Sequence, residues 1–95
     1  MTFTKKARTD ANQTEIVKGL RKAGCSVLII SALKNCFDIV VGVDGVNYNF
    51  EIKDGAKIPS KRKLTPGEES FHENWCGQLD VVLSLEEALK IVGKI

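Results

Sequence analysis

The sequence predicts an α/β fold, a mixed four-stranded sheet flanked by helices in the order helix, three strands, helix, strand, helix. Three observations predict it. Phe37–Lys53 (FDIVVGVDGVNYNFEIK) alternates apolar and polar residues on both sides of Asp44-Gly45, the pattern of a two-stranded hairpin. Apolar residues recur at helical spacing before and after it, bracketed by capping residues and glycines. The last strand-like run, Gln78–Leu83, is separated from the hairpin by a helix, so it can return parallel to an earlier strand.

In chain order, Met1–Thr9 (MTFTKKART) is a short basic arm with Lys5, Lys6 and Arg8, read either as a solvated terminus or as a phosphate-contacting arm. Asp10 starts the first helix, and Gln13 completes a capping-box pattern. Ile16, Val17, Leu20 and Ala23 form its apolar stripe, and Gly24 ends it. Glu15 lies beside that stripe. It reads as a surface glutamate or, if the helix packs on the hairpin's polar face, as a further acidic group there. Cys25–Ser31 (CSVLIIS) is a short strand whose unbroken apolar run predicts cover on both faces. Ser31–Asn35 connects it to the hairpin.

The hairpin strands are Phe37–Val43 and Val46–Lys53. With Val43 opposite Val46, Asp38 falls opposite Glu51. Alternation then places Phe37, Ile39, Val41, Val43, Val46, Tyr48, Phe50 and Ile52 on an apolar core face. The other face gathers Asp38, Glu51 and Lys53. Two carboxylates opposite each other repel unless positive charge lies between them, and Mg²⁺ is a cation that takes carboxylate oxygens. Lys53 could hold a water or a phosphate oxygen near such a cation. The same residues also read more simply, with Lys53 neutralising Glu51 at a sheet edge. The hairpin alone leaves both readings open.

Asp54–Leu64 (DGAKIPSKRKL) is loop-like and the strongest basic patch, with Lys57, Lys61, Arg62 and Lys63. It leaves directly from Lys53, a position suited to sequence-independent phosphate contacts. Thr65-Pro66-Gly67-Glu68 is a helix start with N-cap, proline at the first helical position and a capping-box glutamate. The helix runs to about Trp75 or Cys76, with Phe71 and Trp75 expected to face the core together, and Gly77 closes it. His72 reads as a substrate contact or a partly exposed structural histidine. After the strand Gln78–Leu83, Ser84 and Glu87 form another capping-box pattern. The final helix, Leu85–Val92, carries Leu85, Ala88, Leu89 and Val92 on one side.

Size and composition narrow the class. The 95 residues suffice for one domain, 1–95, with a modest core, for which a homodimer would help. Hydrophobic residues make up 43% and charged residues 27%, an ordinary globular balance. The net charge of +2 tolerates a nucleic-acid partner without arguing for one. The three cysteines have no CxxC spacing, and no secretory signal is read, so the expected compartment is the reducing cytoplasm. His72 is the single histidine, which makes a Cys/His zinc site improbable on ligand count. No apolar run is long enough for a bilayer span.

These elements and residues together resemble the PD-(D/E)XK nuclease superfamily. Helix, three strands, helix, strand is its core order, and Asp38 with Glu51-Ile52-Lys53 matches its D…ExK signature. The pattern is also similar to the small stand-alone VRR-NUC nucleases of phages and bacteria, in which a glutamate of the first helix joins the site. Glu15 matches that position. The residue before Asp38 is Phe37 where the superfamily has proline, and Glu68 and Glu69 occupy the region where a later helix usually carries a glutamine.

The resemblance implies a restriction-endonuclease-like core and cleavage of DNA with Mg²⁺ or Mn²⁺. Asp38, Glu51, the Ile52 carbonyl and Glu15 would hold the metal, and Lys53 would position water and stabilise charge on the phosphoryl oxygens. Lys57, Lys61, Arg62 and Lys63 would hold flanking phosphates. It further implies a homodimer acting on branched DNA such as Holliday junctions, although nothing in the spacing shows a junction preference. Two rival classes remain: a non-catalytic nucleic-acid-binding or adaptor domain with a nuclease-like fold, and a structural or interaction protein with a solvated basic loop. An RNA substrate is compatible with the motif, which speaks to phosphodiesters and not to the sugar.

Overall fold

The computed structural model describes residues 11–95, and for Lys61 the backbone alone. The basic arm Met1–Thr9 and the cap at Asp10 lie outside the described residues. The element order is α1 (Gln13–Lys22), β1 (Ser26–Ile29), β2 (Ile39–Val43), β3 (Val46–Ile52), a short 3-10 turn (Pro59–Lys61), α2 (Pro66–Asn74), β4 (Asp80–Val82) and α3 (Leu85–Ile91). The four strands form one sheet in the order β1-β2-β3-β4. The first three are antiparallel neighbours, and β4 returns parallel to β3. The expected α/β class, strand composition and helix order are those of the structure, and the architecture is consistent with a generic restriction-endonuclease-like fold.

The hairpin register follows from its turn. Asp44 and Gly45 both take positive φ, 53° and 79°. Positive φ at both central residues is the two-residue turn whose twist matches paired strands, and glycine adopts it without a Cβ penalty. Val43 therefore pairs with Val46, and the ladder runs to Ile39 opposite Phe50. One face of this ladder is the core, except at the turn, where Val46, expected on that face, is 47% exposed. Ile39, Val41, Phe50 and Val82 have no exposed surface and Ile52 has 1%. They pack with Ile16, Val17 and Leu20 of α1 and with Ala88 and Val92 at α3. Gly19 lets the two helices approach closely, since a Cβ there would lie 2.3 Å from a Leu85 methyl.

Three local expectations change. The unbroken apolar run of β1 does not mean cover on both faces. β1 is an edge strand, with Leu28 62% and Ile29 47% exposed. Its inner side is covered through Val27, and at its outer edge the Arg21 guanidinium donates to the Val27 carbonyl at 3.0 Å. The first helix begins at Gln13, with Asn12 in the cap position making no side-chain cap bond. The Asn12 amide instead donates to the carbonyls of Lys53 (3.2 Å) and Leu83 (3.0 Å), tying the helix start to the ends of β3 and β4. Finally, Phe71 and Trp75 do not face the main core, and α2 contains no buried residue. Phe37 lies before the ladder and is absent from the core cluster. Its ring sits 6.2 Å from Phe71 and 6.0 Å from Trp75, a satellite aromatic cluster. Among the described residues no helix is long and apolar enough to cross a membrane.

Candidate functional site

The site forms where the hairpin ladder ends. Beyond Ile39 the β2 chain has no further ladder partner, but the Asp38 N–H still donates to the Phe50 carbonyl at 2.9 Å. The Asp38 carboxylate then reaches across the hairpin and accepts the Ile52 N–H at 2.7 Å. That N–H lies between Glu51 and Lys53, so the bond brings Asp38 to the Glu-Ile-Lys segment. Glu51 is on the sheet face opposite the core and is only 3% exposed. Lys53 follows two residues later on the same face. Its ammonium lies 3.6 Å from Glu51 Oε2 and 3.1 Å from Glu68 Oε1.

Glu68 comes from the first turn of α2. The helix start is the expected one: the Thr65 hydroxyl accepts the Glu68 N–H at 3.2 Å, and Glu68 Oε1 accepts the Thr65 N–H at 3.0 Å. The same oxygen accepts from Lys53, so one carboxylate both caps α2 and holds the lysine. His72, one turn further along α2, places Nε2 at 3.8 Å from Glu51 Oε1. That nitrogen is buried with no hydrogen-bond partner among the described residues.

Asp38, Glu51, Lys53 and Glu68 line a cavity of ≈ 50 Å³, to which the β1–β2 connection adds Ser31, Asn35 and Phe37. A water requires only about 10–15 Å³ of such volume, so the cavity suits a cation or a few waters and excludes a nucleobase. Its electrostatics are set by crowded carboxylates. Burial, then the charges of Asp38 and Glu68, push the Glu51 carboxyl up from 4.5 to about 8 despite Lys53. Burial also works on Glu68, but the Thr65 N–H and the Lys53 ammonium outweigh it and hold that carboxyl below its ordinary value. Two neighbouring carboxylates that resist joint ionisation form a donor set that fits a hard divalent cation, whose charge would remove the penalty. Asp38, Glu51 and the Ile52 carbonyl are the groups that would hold it.

The structure does not bring every sequence candidate here. Glu15 is exposed and lines a different cavity of ≈ 420 Å³, with Asn12, Asp54, Leu83 and Glu87. The reason is the phase of α1. Its buried stripe is Gln13, Ile16, Val17 and Leu20, and Glu15 falls off it. Gln13 is the residue through which α1 reaches this end of the sheet, donating to the Ser31 hydroxyl at 3.2 Å. The acidic neighbour that Lys53 meets is Glu68, whose sequence signal was its place in the α2 capping box. Among the described residues no three His, Cys, Asp or Glu side chains assemble as a metal-holding group. In the basic segment Lys57 and Lys63 are exposed, and Arg62 is half-buried with Nε lacking a hydrogen-bond partner among the described residues. The Lys61 side chain lies outside the described residues.

No family model matches the chain, and comparison with curated proteins and with solved structures gives no match. The fold and the site geometry therefore carry the functional reading without a relative beside them.

Proposed function

We propose that this domain acts on nucleic acid, engaging the phosphodiester backbone at the Asp38–Glu51–Lys53 cavity and along the basic segment that leaves it. The observation that carries the proposal is the half-buried Asp38 carboxylate bonded to the Ile52 N–H, which joins it to buried Glu51 and to Lys53 in the wall of a cavity too small for a base. Lys57, Arg62 and Lys63, with Lys61, supply phosphate contacts that do not depend on sequence.

The proposal has two forms. In the binding form the domain is a nucleic-acid-binding or adaptor module on a nuclease-like fold. This form asks least of the side chains as they stand, because no three metal-holding groups assemble among the described residues and Glu68 is engaged by Lys53 and Thr65. In the catalytic form it is an endonuclease of DNA, including branched DNA, dependent on Mg²⁺ or Mn²⁺. The cation, when bound, would lower the pKa of a water and polarise the scissile phosphate. Asp38 and Glu51 would hold the cation, with Glu51 surrendering its proton as it binds. Lys53 would orient the attacking water and stabilise charge on the phosphoryl oxygens. The absence of a nucleotide-sized pocket at the carboxylates suits cutting within a strand.

A homodimer is the proposed assembly, with the exposed Leu28 and Ile29 of edge strand β1 as the contact. Sedimentation of the 10.4 kDa chain beside Leu28→Lys tests it, and a monomer at all concentrations sinks it. The decisive assay for the two forms is cleavage of labelled four-way junction, flap, duplex and single-stranded DNA with Mg²⁺ or Mn²⁺, beside Asp38→Asn. Metal-dependent cutting lost in the variant establishes the catalytic form. Binding of DNA without cutting establishes the binding form.

A further inference from the structure

The chain's single tryptophan is not used by either form of this function. Trp75 follows the last turn of α2 and is 42% exposed, although tryptophan is among the side chains that gain most from burial. It is not loosely held. The indole N–H donates to the Gln78 carbonyl at 3.2 Å. The ring stacks on Phe71 with centroids 5.4 Å apart and planes 21° apart. Phe37 meets it at 60°, and Phe37 also lines the cavity beside Asp38. Trp75 therefore stands one ring away from the cavity wall, just past the helix that delivers Glu68 to it. Leu33, 60% exposed, lines the same cavity as a second apolar side chain open to solvent.

We propose that Trp75 is a stacking platform for an unpaired nucleobase next to the phosphate held at the Asp38–Glu51–Lys53 cavity, so that the substrate class is DNA with a single-stranded stretch. A fixed indole one ring away from a phosphate site has the composition of a single-strand binding surface, in which basic groups follow the backbone and aromatic rings take bases. Paired bases inside a duplex are stacked on each other and cannot lie on the ring. The indole would thus discriminate single strands from duplex while the basic segment contributes to both. The inference rests on nucleic acid binding at this cavity and does not require cleavage.

The test uses the tryptophan itself. Wild-type protein, in EDTA and in parallel with Ca²⁺ to neutralise the acidic pair, is titrated with oligothymidylate and with duplex of equal length, following Trp75 emission and the anisotropy of a labelled strand. The expected result is quenching by the single strand with little change on the duplex. Trp75→Ala should weaken single-strand binding by about 10–100-fold, the worth of one base–aromatic contact, and leave duplex binding unchanged. Trp75→Phe should retain most of the affinity. Should Trp75→Ala fail to fold, the wild-type emission decides alone. Saturation of the labelled strand with unchanged emission overturns the proposal, as does a folded Trp75→Ala that binds single strands like wild type. Quenching without metal-dependent cutting supports it while removing the catalytic form of the function.

Discussion

Glu51→Gln should make the cation-free protein more stable above neutral pH, and the gain should vanish in acid. The folded carboxyl titrates at about 8 against an ordinary 4.5, because it is buried beside Asp38 and Glu68. A folded pKa above the unfolded one means that the folded protein binds the proton more tightly. Stability is then full below about pH 4.5, falls as pH rises to about 8, where the folded carboxyl is half ionised, and levels off above that. At about 1.4 kcal/mol for each pH unit, the interval caps the cost at roughly 5 kcal/mol. Rearrangement of neighbouring side chains and entry of water reduce such penalties, and about 2 kcal/mol is the expected gain. For a domain of this size that is roughly 8–16 °C in Tm. Glutamine keeps the shape and cannot ionise, and Lys53 keeps Glu68 at 3.1 Å as its partner. The assay is urea or thermal unfolding of both proteins in EDTA at pH 5, 7 and 9. Parallel pH profiles, or a variant less stable than wild type at pH 9, would refute close crowding of the acidic groups.

Three further outcomes are expected. Millimolar Mn²⁺ should stabilise the wild type at pH 8 by about 2.7 kcal/mol at a hundredfold excess over Kd, read as a rise in Tm, and should leave Asp38→Asn unmoved; equal shifts in both would place the cation elsewhere. Glu68→Ala removes the acceptor for both Thr65 N–H and Lys53, so it should cost about 1–2 kcal/mol and loosen α2 in hydrogen exchange. Unchanged α2 protection would mean that this carboxylate does not anchor the helix. Lys57→Ser with Lys63→Ser should weaken DNA binding and flatten its log–log salt slope by about 1.8, two phosphate contacts' worth; an unchanged slope would show that these exposed lysines do not touch the backbone.

Much of the site could be read from local patterns. Asp44-Gly45 sets the turn, the turn sets Val43 opposite Val46, and alternation then puts Glu51 and Lys53 on the polar face with Asp38 at the ladder's end. Thr65 with Glu68 marks the α2 start, down to both bonds of its capping box. At α3 the pattern held in part. Ser84 accepts the Glu87 N–H, while the Glu87 carboxylate turns to Leu83 N–H rather than to the cap residue itself. These features involve residues within a few positions of each other, where backbone geometry leaves little choice.

The remainder depended on contacts between segments far apart in the chain. Apolar residues in β1 signalled a strand, but not that its place would be the sheet edge with Leu28 in solvent. Phe37 continued the core-face alternation and is buried, yet past the end of the ladder its ring meets Phe71 of α2 and Trp75 just beyond it, not the main core cluster. Glu15 and Glu68 were both acidic candidates near a helix start. The sequence determined the hairpin, its register, the caps and the meeting of Asp38 with the Glu51–Lys53 segment. The tertiary structure alone decided that Glu68, and not Glu15, stands against Lys53, because the rotation of α1 about its axis is set by burying Gln13, Ile16, Val17 and Leu20, and that rotation carries Glu15 into solvent.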